Sequence, residues 1–153
     1  MKNLIICCSS FLIPRNKAWS VLEKAYRLEF SDYGDWSGTL LNSASEDTIA
    51  IVLFLNDIIG NYNQLHLDPK KNILPFIEIL EKRIKSSKKP TLVCLSEGNI
   101  ANVISRAKSI SEATKIFYWL LSELELLAQK HSNFYFVDFD REFGEVGRNK
   151  VFD

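Results

Sequence analysis

The chain has 153 residues, the length of one domain that can bury a sizeable core. Hydrophobic residues make up 46% and aromatic residues 12%, which excludes a disordered protein. The 19 basic and 19 acidic residues cancel, so the protein lacks the long-range attraction to nucleic acid or anionic lipid that a basic protein has. The composition therefore favours a small molecule or another protein as the partner, with no nucleic acid and no membrane.

The first ten residues, M-K-N-L-I-I-C-C-S-S, read as a buried strand and not as an export signal. Two cysteines and two serines interrupt the apolar run, and Pro14 and Arg15 follow it closely. No window of the chain holds the about 18 apolar residues that a membrane span needs. The sequence therefore predicts a cytoplasmic protein.

Three cysteines are present, Cys7, Cys8 and Cys94, and their spacing fits neither a disulfide framework nor a zinc site. All three lie in predicted strands, where a reduced thiol behaves as a small apolar residue. The sequence thus predicts inert thiols and no metal site.

Strands and helices alternate along the rest of the chain, as apolar periodicity and turn residues indicate. Trp36, in the turn after the second strand, either packs into the core or lines a site. The polar stretch 60–72 is longer than most connections and is a candidate lid. The predicted elements are a first strand before Ser9, a helix from Pro14 to near Arg27, a strand over 28–30, a turn over 31–38, a strand over 47–55, a helix containing Phe76, Ile77, Leu80 and Ile84, a strand over 91–95, a long helix containing Ala113, Ile116, Phe117, Leu120, Leu124 and Leu127, and a strand over 134–139.

Capping residues predict where two of these helices begin. Asn72 or Asp68 is expected to cap the helix that carries Phe76, with Pro75 in its first turn. Ser109 and Glu112 have the spacing of a capping box and are expected to open the long helix. Trp119 is expected to lie off the apolar stripe of that helix.

This alternation predicts a single domain over 1–153, folded as a three-layer α/β/α sandwich with about five mostly parallel strands. Ligands of such sheets bind outside the carboxyl ends of the strands. His66, in the loop 60–72, could reach this edge, whereas His131 after the long helix is expected to be solvated. The polar residues expected at the strand ends are Ser9, Ser10, Gly34, Asn56, Asp57, Ser96, Asn99, Asp138 and Asp140.

Several common chemistries lack their motifs. Neither phosphate-binding glycine pattern, G-x-G-x-x-G or G-x-x-x-x-G-K-[ST], occurs, so nucleotide binding has no support and no cofactor is predicted. The G-x-S-x-G elbow of α/β-hydrolases is also missing. The two histidines have no metal-ligating partner at zinc spacing.

Three of the strand-end positions resemble the SGNH (GDSL) hydrolase family, whose flavodoxin-like fold has the same alternation. Cys7-Cys8-Ser9 stands where the family carries G-D-S, and Phe54-Leu55-Asn56-Asp57 stands where it carries G-x-N-D. The resemblance implies that Ser9 is the nucleophile, with Gly34 and Asn56 as oxyanion contacts.

The final motif departs from that family. Asp140-Arg141-Glu142-Phe143 occupies the D-x-x-H position, so Phe143 replaces the histidine that acts as base. A serine without an adjacent base is a poor nucleophile at neutral pH. Losing one member of a catalytic triad leaves only a small residual rate.

A second resemblance covers nearly the whole chain. F-S-D-Y-G-D-W, L-F-L-N-D and the terminal V-D-F-D-R-E-F-G-E-V-G-R-N-K-V-F-D are similar to the amino-terminal region of FkbH-like proteins. That family implies a following HAD-type phosphatase-like domain, so the chain is expected to be an amino-terminal fragment. It also implies an acyl carrier protein and an acyl or glyceryl unit as partners, in secondary-metabolite or polysaccharide biosynthesis. Asp138 and Asp140 resemble the D-x-D core of a HAD nucleophile motif, but strand-end capping is the expected role of both.

Three hypotheses follow from the sequence. The first is an SGNH-like domain that binds a carrier protein, an acyl or glyceryl unit or a partner HAD domain. The second is an active ester hydrolase or acyltransferase that uses Ser9. The third is a purely structural domain whose polar strand ends are solvated turns.

Overall fold

The computed structural model describes residues 2–8, 19–32, 34–59, 70–98 and 112–146. Its strands are β1 (Lys2–Cys8), β2 (Tyr26–Phe30), β3 (Thr48–Phe54), β4 (Thr91–Ser96) and β5 (Phe134–Asp138). Its helices are α1 (Ser20–Glu23), α2 (Trp36–Asn42), α3 (Leu55–Ile59), α4 (Lys70–Ser86), α5 (Glu112–Lys130) and α6 (Phe139–Val146).

The five strands form one sheet in the order β2-β1-β3-β4-β5, and every neighbouring pair is parallel. This sheet confirms the predicted α/β fold. The chain moves outward to β2 and then back across β1 to β3, so the strand order reverses between β1 and β3, which is where such folds bind ligands. The register sets Cys8 beside Val52 and Phe54 beside Ser96, so the carboxyl ends of β1, β3 and β4 lie at one edge.

One face of the sheet carries the main core. Alternate strand residues point to this face, and α2, α4 and α5 cover it with their apolar stripes. Ile6 of β1 and Cys94 of β4, on the other face, are buried as well, and strands covered on both faces read as continuous apolar runs. The fully buried members of this core include Ile49, Ile51, Leu53, Leu95, Leu40, Ile73, Phe76, Leu80, Leu120 and Leu124.

The long helix α5 follows its predicted stripe. Phe117, Leu120, Leu124 and Leu127 are buried, and Ile116 packs against them. The prediction for Trp119 is wrong, because its ring also packs against the core from a partly buried position. Glu112 begins the described helix, whereas Ser109 and the side chain of Ala113 lie outside the description.

The predicted boundary between the first helix and the second strand is also wrong. Tyr26 and Arg27 belong to β2, which pairs with β1 from Lys2 onward. Apolar and charged residues alternate along the segment Y-R-L-E-F, which is the two-residue period of a strand. The segment therefore forms a strand and does not continue the helical spacing that precedes it. Trp19, directly before α1, packs edge-to-face on Phe30 with 5.5 Å between ring centroids. Pro14 lies outside the described residues.

Helix α2 occupies part of the segment predicted as a turn. Asp35 caps this helix, because its Oδ1 accepts the backbone N–H of Gly38 at 2.8 Å. Trp36, the first residue of the helix, packs edge-to-face on Phe76 of α4 with 5.1 Å between centroids. Trp36 is therefore a partly buried core residue.

Helix α4 begins earlier than a cap at Asn72 predicts. Lys70 is its first residue, so Pro75 lies in the second turn and not the first. Proline is tolerated there on an exposed face, although its missing N–H removes one helical hydrogen bond. Asn72 lies inside the helix, and its Nδ2 donates to the carbonyl of Ile59 at the end of α3, at 2.8 Å. Asp68 lies outside the described residues.

Arg83 joins the end of α4 to the loop before β3. Its guanidinium is buried and donates from Nη1 to the carbonyl of Ser43 and from Nη2 to the carbonyls of Ala44 and Asp47, at 2.8, 2.9 and 3.0 Å. Burial lowers the pKa of this arginine, and the nearby Asp47 carboxylate acts in the opposite direction. Three carbonyl acceptors thus compensate part of the buried cation, whereas its Nε has no hydrogen-bond partner among the described residues.

None of the helices in the described part of the chain is long and apolar enough to cross a membrane.

Candidate functional site

The candidate site is the carboxyl edge of the sheet, where the loops after β1, β3, β4 and β5 begin. The sequence placed ten residues at or near this edge. Ser9, Ser10, His66 and Asn99 lie outside the described residues, so their predicted roles remain predictions. Gly34, Asn56, Asp57, Ser96, Asp138 and Asp140 are described.

Gly34 follows β2 and holds the chain close to β1. Its φ of 71° lies in the left-handed region, which glycine adopts at little cost. The backbone N–H of Gly34 donates to the carbonyl of Cys8 at 3.2 Å. An oxyanion contact from Gly34 needs this same N–H group, so the bond to Cys8 competes with that role.

Asn56 and Asp57 were predicted to end a strand, but β3 ends at Phe54 and both residues lie in the first turn of α3. The N–H of Phe54 donates to Oδ2 of Asp57 at 2.6 Å. Phe54 is the residue before the helix and Asp57 is its third residue, so this bond is one half of a capping box. Asp57 therefore fixes the turn that presents Asn56. The Oδ1 atom of Asn56 is buried and has no hydrogen-bond partner among the described residues.

A buried amide oxygen without a partner is costly, so the Asn56 side chain needs explanation. Its donor has to come from outside the described residues, either from another segment of the chain or from a bound molecule. The atom lies beside the point where the strand order reverses. It is the feature of this edge that points most directly to a ligand.

Asp140 ties the first turn of α6 to the end of β4. The hydroxyl of Ser96 donates to Oδ1 of Asp140 at 2.9 Å, and the backbone N–H of Glu97 donates to Oδ2 at 2.6 Å. Ser96 is buried and accepts the N–H of Gly98 at 3.0 Å. The structure thus brings together two of the predicted site residues, and it engages both carboxylate oxygens of Asp140.

Asp138 caps α6 from the end of β5. Its Oδ1 accepts the backbone N–H of Arg141 at 3.2 Å. The capping role expected for the two aspartates is therefore confirmed: Asp138 caps a helix, and Asp140 holds the neighbouring strand end. Helix α6 itself was missed, although Phe139, Phe143 and Val146 recur at helical spacing, because the segment has only eight residues and contains Gly144.

The described histidine lies at the opposite edge of the sheet. His131 precedes β5, is 20% exposed at its side chain, and has Nε2 4.0 Å from Oε1 of Glu81. The length of β5, roughly 13 Å at about 3.3 Å per residue, separates it from Asp138. His131 therefore lies away from the candidate site, and the described part of the carboxyl edge carries no histidine.

The cysteines behave as apolar residues. Cys7 and Cys94 are buried, and none of the three cysteines forms a disulfide. Burial raises the pKa of Cys94 to about 11, so this thiol stays protonated at neutral pH. Within the described ranges, no group of three metal-ligating side chains comes together.

Two clefts of the described structure lie away from Asn56. One of about 350 Å³ runs between the end of β2, α2 and the following loop, past Asp32, Asp35 and Asn42. Another, of about 300 Å³, lies at the amino edge of the sheet beside Lys2, Glu46 and Lys89. Glu46 pairs with two lysines there, so the charges largely compensate one another.

Two features of the edge were not predicted. Glu97 receives the hydroxyl of Thr114 at 2.6 Å and so links the end of β4 to the start of α5. Phe54 is 39% exposed, and its ring lies against Gly98, whose φ is 79° and whose missing Cβ would be 3.4 Å from Cδ1 of that ring. The S-E-G sequence after an apolar strand was the available signal for both, since it marks a tight polar turn.

Asp140→Ala is expected to lower the free energy of unfolding by about 1–3 kcal/mol, because the buried Ser96 hydroxyl and the Glu97 N–H both lose their acceptor. Glu142→Ala, on the exposed surface of the same helix, is the matched control and should change it by less than about 0.5 kcal/mol. Urea denaturation measures both. Equal stability of the two variants would contradict the role given to Asp140.

Comparisons with models of protein families, with curated proteins and with solved structures found no significant match for this chain.

Proposed function

We propose that this chain is an SGNH-like binding domain, similar to the amino-terminal region of FkbH-like proteins, that holds its ligand at the carboxyl edge of the sheet without hydrolysing it. The observation that carries this proposal is the state of Asp140. In the D-x-x-H motif this aspartate orients the base, but here Ser96 and Glu97 engage both of its oxygens. The position of the base itself holds Phe143.

The oxyanion contacts support the same conclusion. Stabilising an oxyanion requires donors that are already aimed at the reacting group. The N–H of Gly34 instead donates to Cys8, so only Asn56 remains as a donor among the described candidates. Binding demands less, because one well-placed polar group can orient a ligand in an apolar pocket.

The ligand class follows from Asn56 and from the family resemblance together. An unpartnered amide accepts a hydrogen bond from a hydroxyl or an amide N–H. A glyceryl unit offers hydroxyls, and the arm of an acyl carrier protein offers amides. We therefore assign the edge to an acyl or glyceryl unit, delivered by a carrier protein or by a HAD-type domain of a biosynthetic pathway. Three cysteines without a disulfide fit a cytoplasmic location.

A titration followed by amide NMR tests this assignment. The probes are glycerate and S-acetyl-N-acetylcysteamine, a thioester that imitates an acylated carrier arm. We expect shift changes to cluster at Asn56 and at the turn of Ser96 to Gly98. Asn56→Ala should weaken binding at least about tenfold, because it removes the polar anchor.

Asn42→Ala is the control, since Asn42 is exposed on α2 and away from the edge. It should bind both probes as the unchanged protein does. Scattered shift changes, or equal binding by the two variants, would favour the purely structural alternative. Turnover of the thioester that stops in Ser9→Ala would favour the hydrolase.

A further inference from the structure

Strand β2 lies at the end of the described sheet and has one open side. Parallel strands alternate the direction of their peptide groups, and the N–H of Ser31 donates to the carbonyl of Ile6 in β1. By this alternation Arg27 and Glu29 also bond toward β1. The N–H and C=O groups of Tyr26, Leu28 and Phe30 therefore point away from the sheet, and no described residue bonds to them.

The side chains of β2 are arranged so that the strand is complementary to a second, antiparallel copy of itself. Arg27 and Glu29 share one face of the strand, are 71% and 45% exposed at their side chains, and pair with each other at 3.6 Å. Tyr26 and Phe30 share the opposite face, on either side of Leu28. A two-fold axis through Leu28 would therefore place Arg27 of one copy opposite Glu29 of the other, and Tyr26 opposite Phe30.

We propose that the protein forms a two-fold dimer in which β2 pairs antiparallel with β2 of a second copy, centred on Leu28. In this register Leu28 faces Leu28, and Tyr26 faces Phe30, as hydrogen-bonded pairs. The outward groups of both strands then form up to about six hydrogen bonds. The two five-stranded sheets become one continuous sheet.

The charges select this register. Arg27 of each copy faces Glu29 of the other as a non-hydrogen-bonded pair, the arrangement in which opposed side chains are closest. Centring the axis on Arg27 or on Glu29 would place like charges opposite each other. Charged residues usually protect an edge strand from association, but this order attracts an identical strand in one register alone.

The opposite face adds apolar contacts. Tyr26 would face Phe30 of the second copy, an aromatic cross-strand pair of the kind that stabilises sheets. Val21 of α1, a helix that packs beside β2, is 70% exposed and extends this apolar region. Because the strand has only five residues, the contact is small and the dimer should dissociate at low concentration.

Sedimentation velocity over a series from micromolar to submillimolar concentration tests the dimer with the full chain. The unchanged protein should shift from monomer to dimer along the series. Arg27→Glu or Glu29→Arg should weaken dimerisation at least about tenfold, because each creates two like-charge pairs. The double variant R27E/E29R restores both attractions and should dimerise again.

Mixing the two single variants gives the sharpest result. One copy then carries two acidic residues on this face and the other two basic residues, so an equimolar mixture should form a heterodimer although each variant alone does not. Lys82→Glu, an exposed charge reversal on α4, is the control and should leave the dimer intact. A monomer at every concentration, or equal sedimentation of the unchanged protein and R27E, would overturn the proposal.

Discussion

Arg83→Met is expected to lower the free energy of unfolding by about 3–5 kcal/mol, one of the two largest effects of a single substitution in this chain. The guanidinium is 3% exposed and donates three hydrogen bonds to the carbonyls of Ser43, Ala44 and Asp47. Methionine fills a similar volume but leaves these acceptors without donors. These bonds are partly buried, so each carbonyl that loses its donor costs up to about 1–3 kcal/mol, less where water reaches it.

The neighbouring Lys82 provides a matched control. It is exposed on the same turn of α4, so Lys82→Met removes the same charge and adds the same side chain without breaking a buried bond. We expect its effect to stay within about 0.5 kcal/mol. Urea denaturation of both variants measures the difference, and a loss below about 1 kcal/mol for Arg83→Met would contradict the role given to this residue.

Phe76→Ala should lower the free energy of unfolding by about 3–5 kcal/mol, because this ring of α4 is fully buried and its loss leaves a cavity. Part of this cost is the loss of the edge-to-face contact with Trp36, because such aromatic pairs stabilise a protein beyond the burial of their surface. The near-ultraviolet circular dichroism of the folded variant should change as Trp36 loses its neighbour. Phe76→Leu keeps most of the apolar volume and should cost less.

Leu74→Ala is the control for Phe76. Leu74 lies on the same helix but is 52% exposed, so its truncation leaves no cavity. A loss of stability for Phe76→Ala no greater than that for Leu74→Ala would show that α4 does not pack as described.

The sequence predicted the sheet better than the helices. Strands β1 and β4 bury residues on both faces, and β3 buries one face and half-buries most of the other, so all three are apolar runs that are visible without knowledge of the fold. Helices α2 and α3 are short, and each begins at a single capping contact, from Asp35 to Gly38 and from Asp57 to Phe54. One polar side chain is a weak signal, since it also fits a turn.

The sequence predicted which edge of the sheet carries the candidate site, but not the contacts between the residues there. The rule that ligands bind at carboxyl strand ends placed Asn56, Ser96 and Asp140 together. It could not show that Asp140 bonds Ser96 and Glu97, because that contact joins residues 44 positions apart. Nor could it show that the Asn56 oxygen lacks a partner, which depends on every neighbouring atom.

Two positions carry the proposed function. The buried amide oxygen of Asn56 has no hydrogen-bond partner among the described residues, whereas both carboxylate oxygens of Asp140 accept hydrogen bonds from the end of β4. A catalytic role would require Asp140 to release both of its donors and a base to arrive from elsewhere. The edge therefore favours recognition over bond cleavage.

Labelling by a fluorophosphonate, read by intact mass, tests this account most directly. We predict that the full chain gains no adduct at Ser9 and that it cleaves p-nitrophenyl acetate no faster than Ser9→Ala does, because Phe143 stands at the histidine position of the D-x-x-H motif and the described part of the carboxyl edge carries no histidine. Stoichiometric labelling of Ser9, together with hydrolysis that Ser9→Ala abolishes, would contradict the account and identify an active esterase.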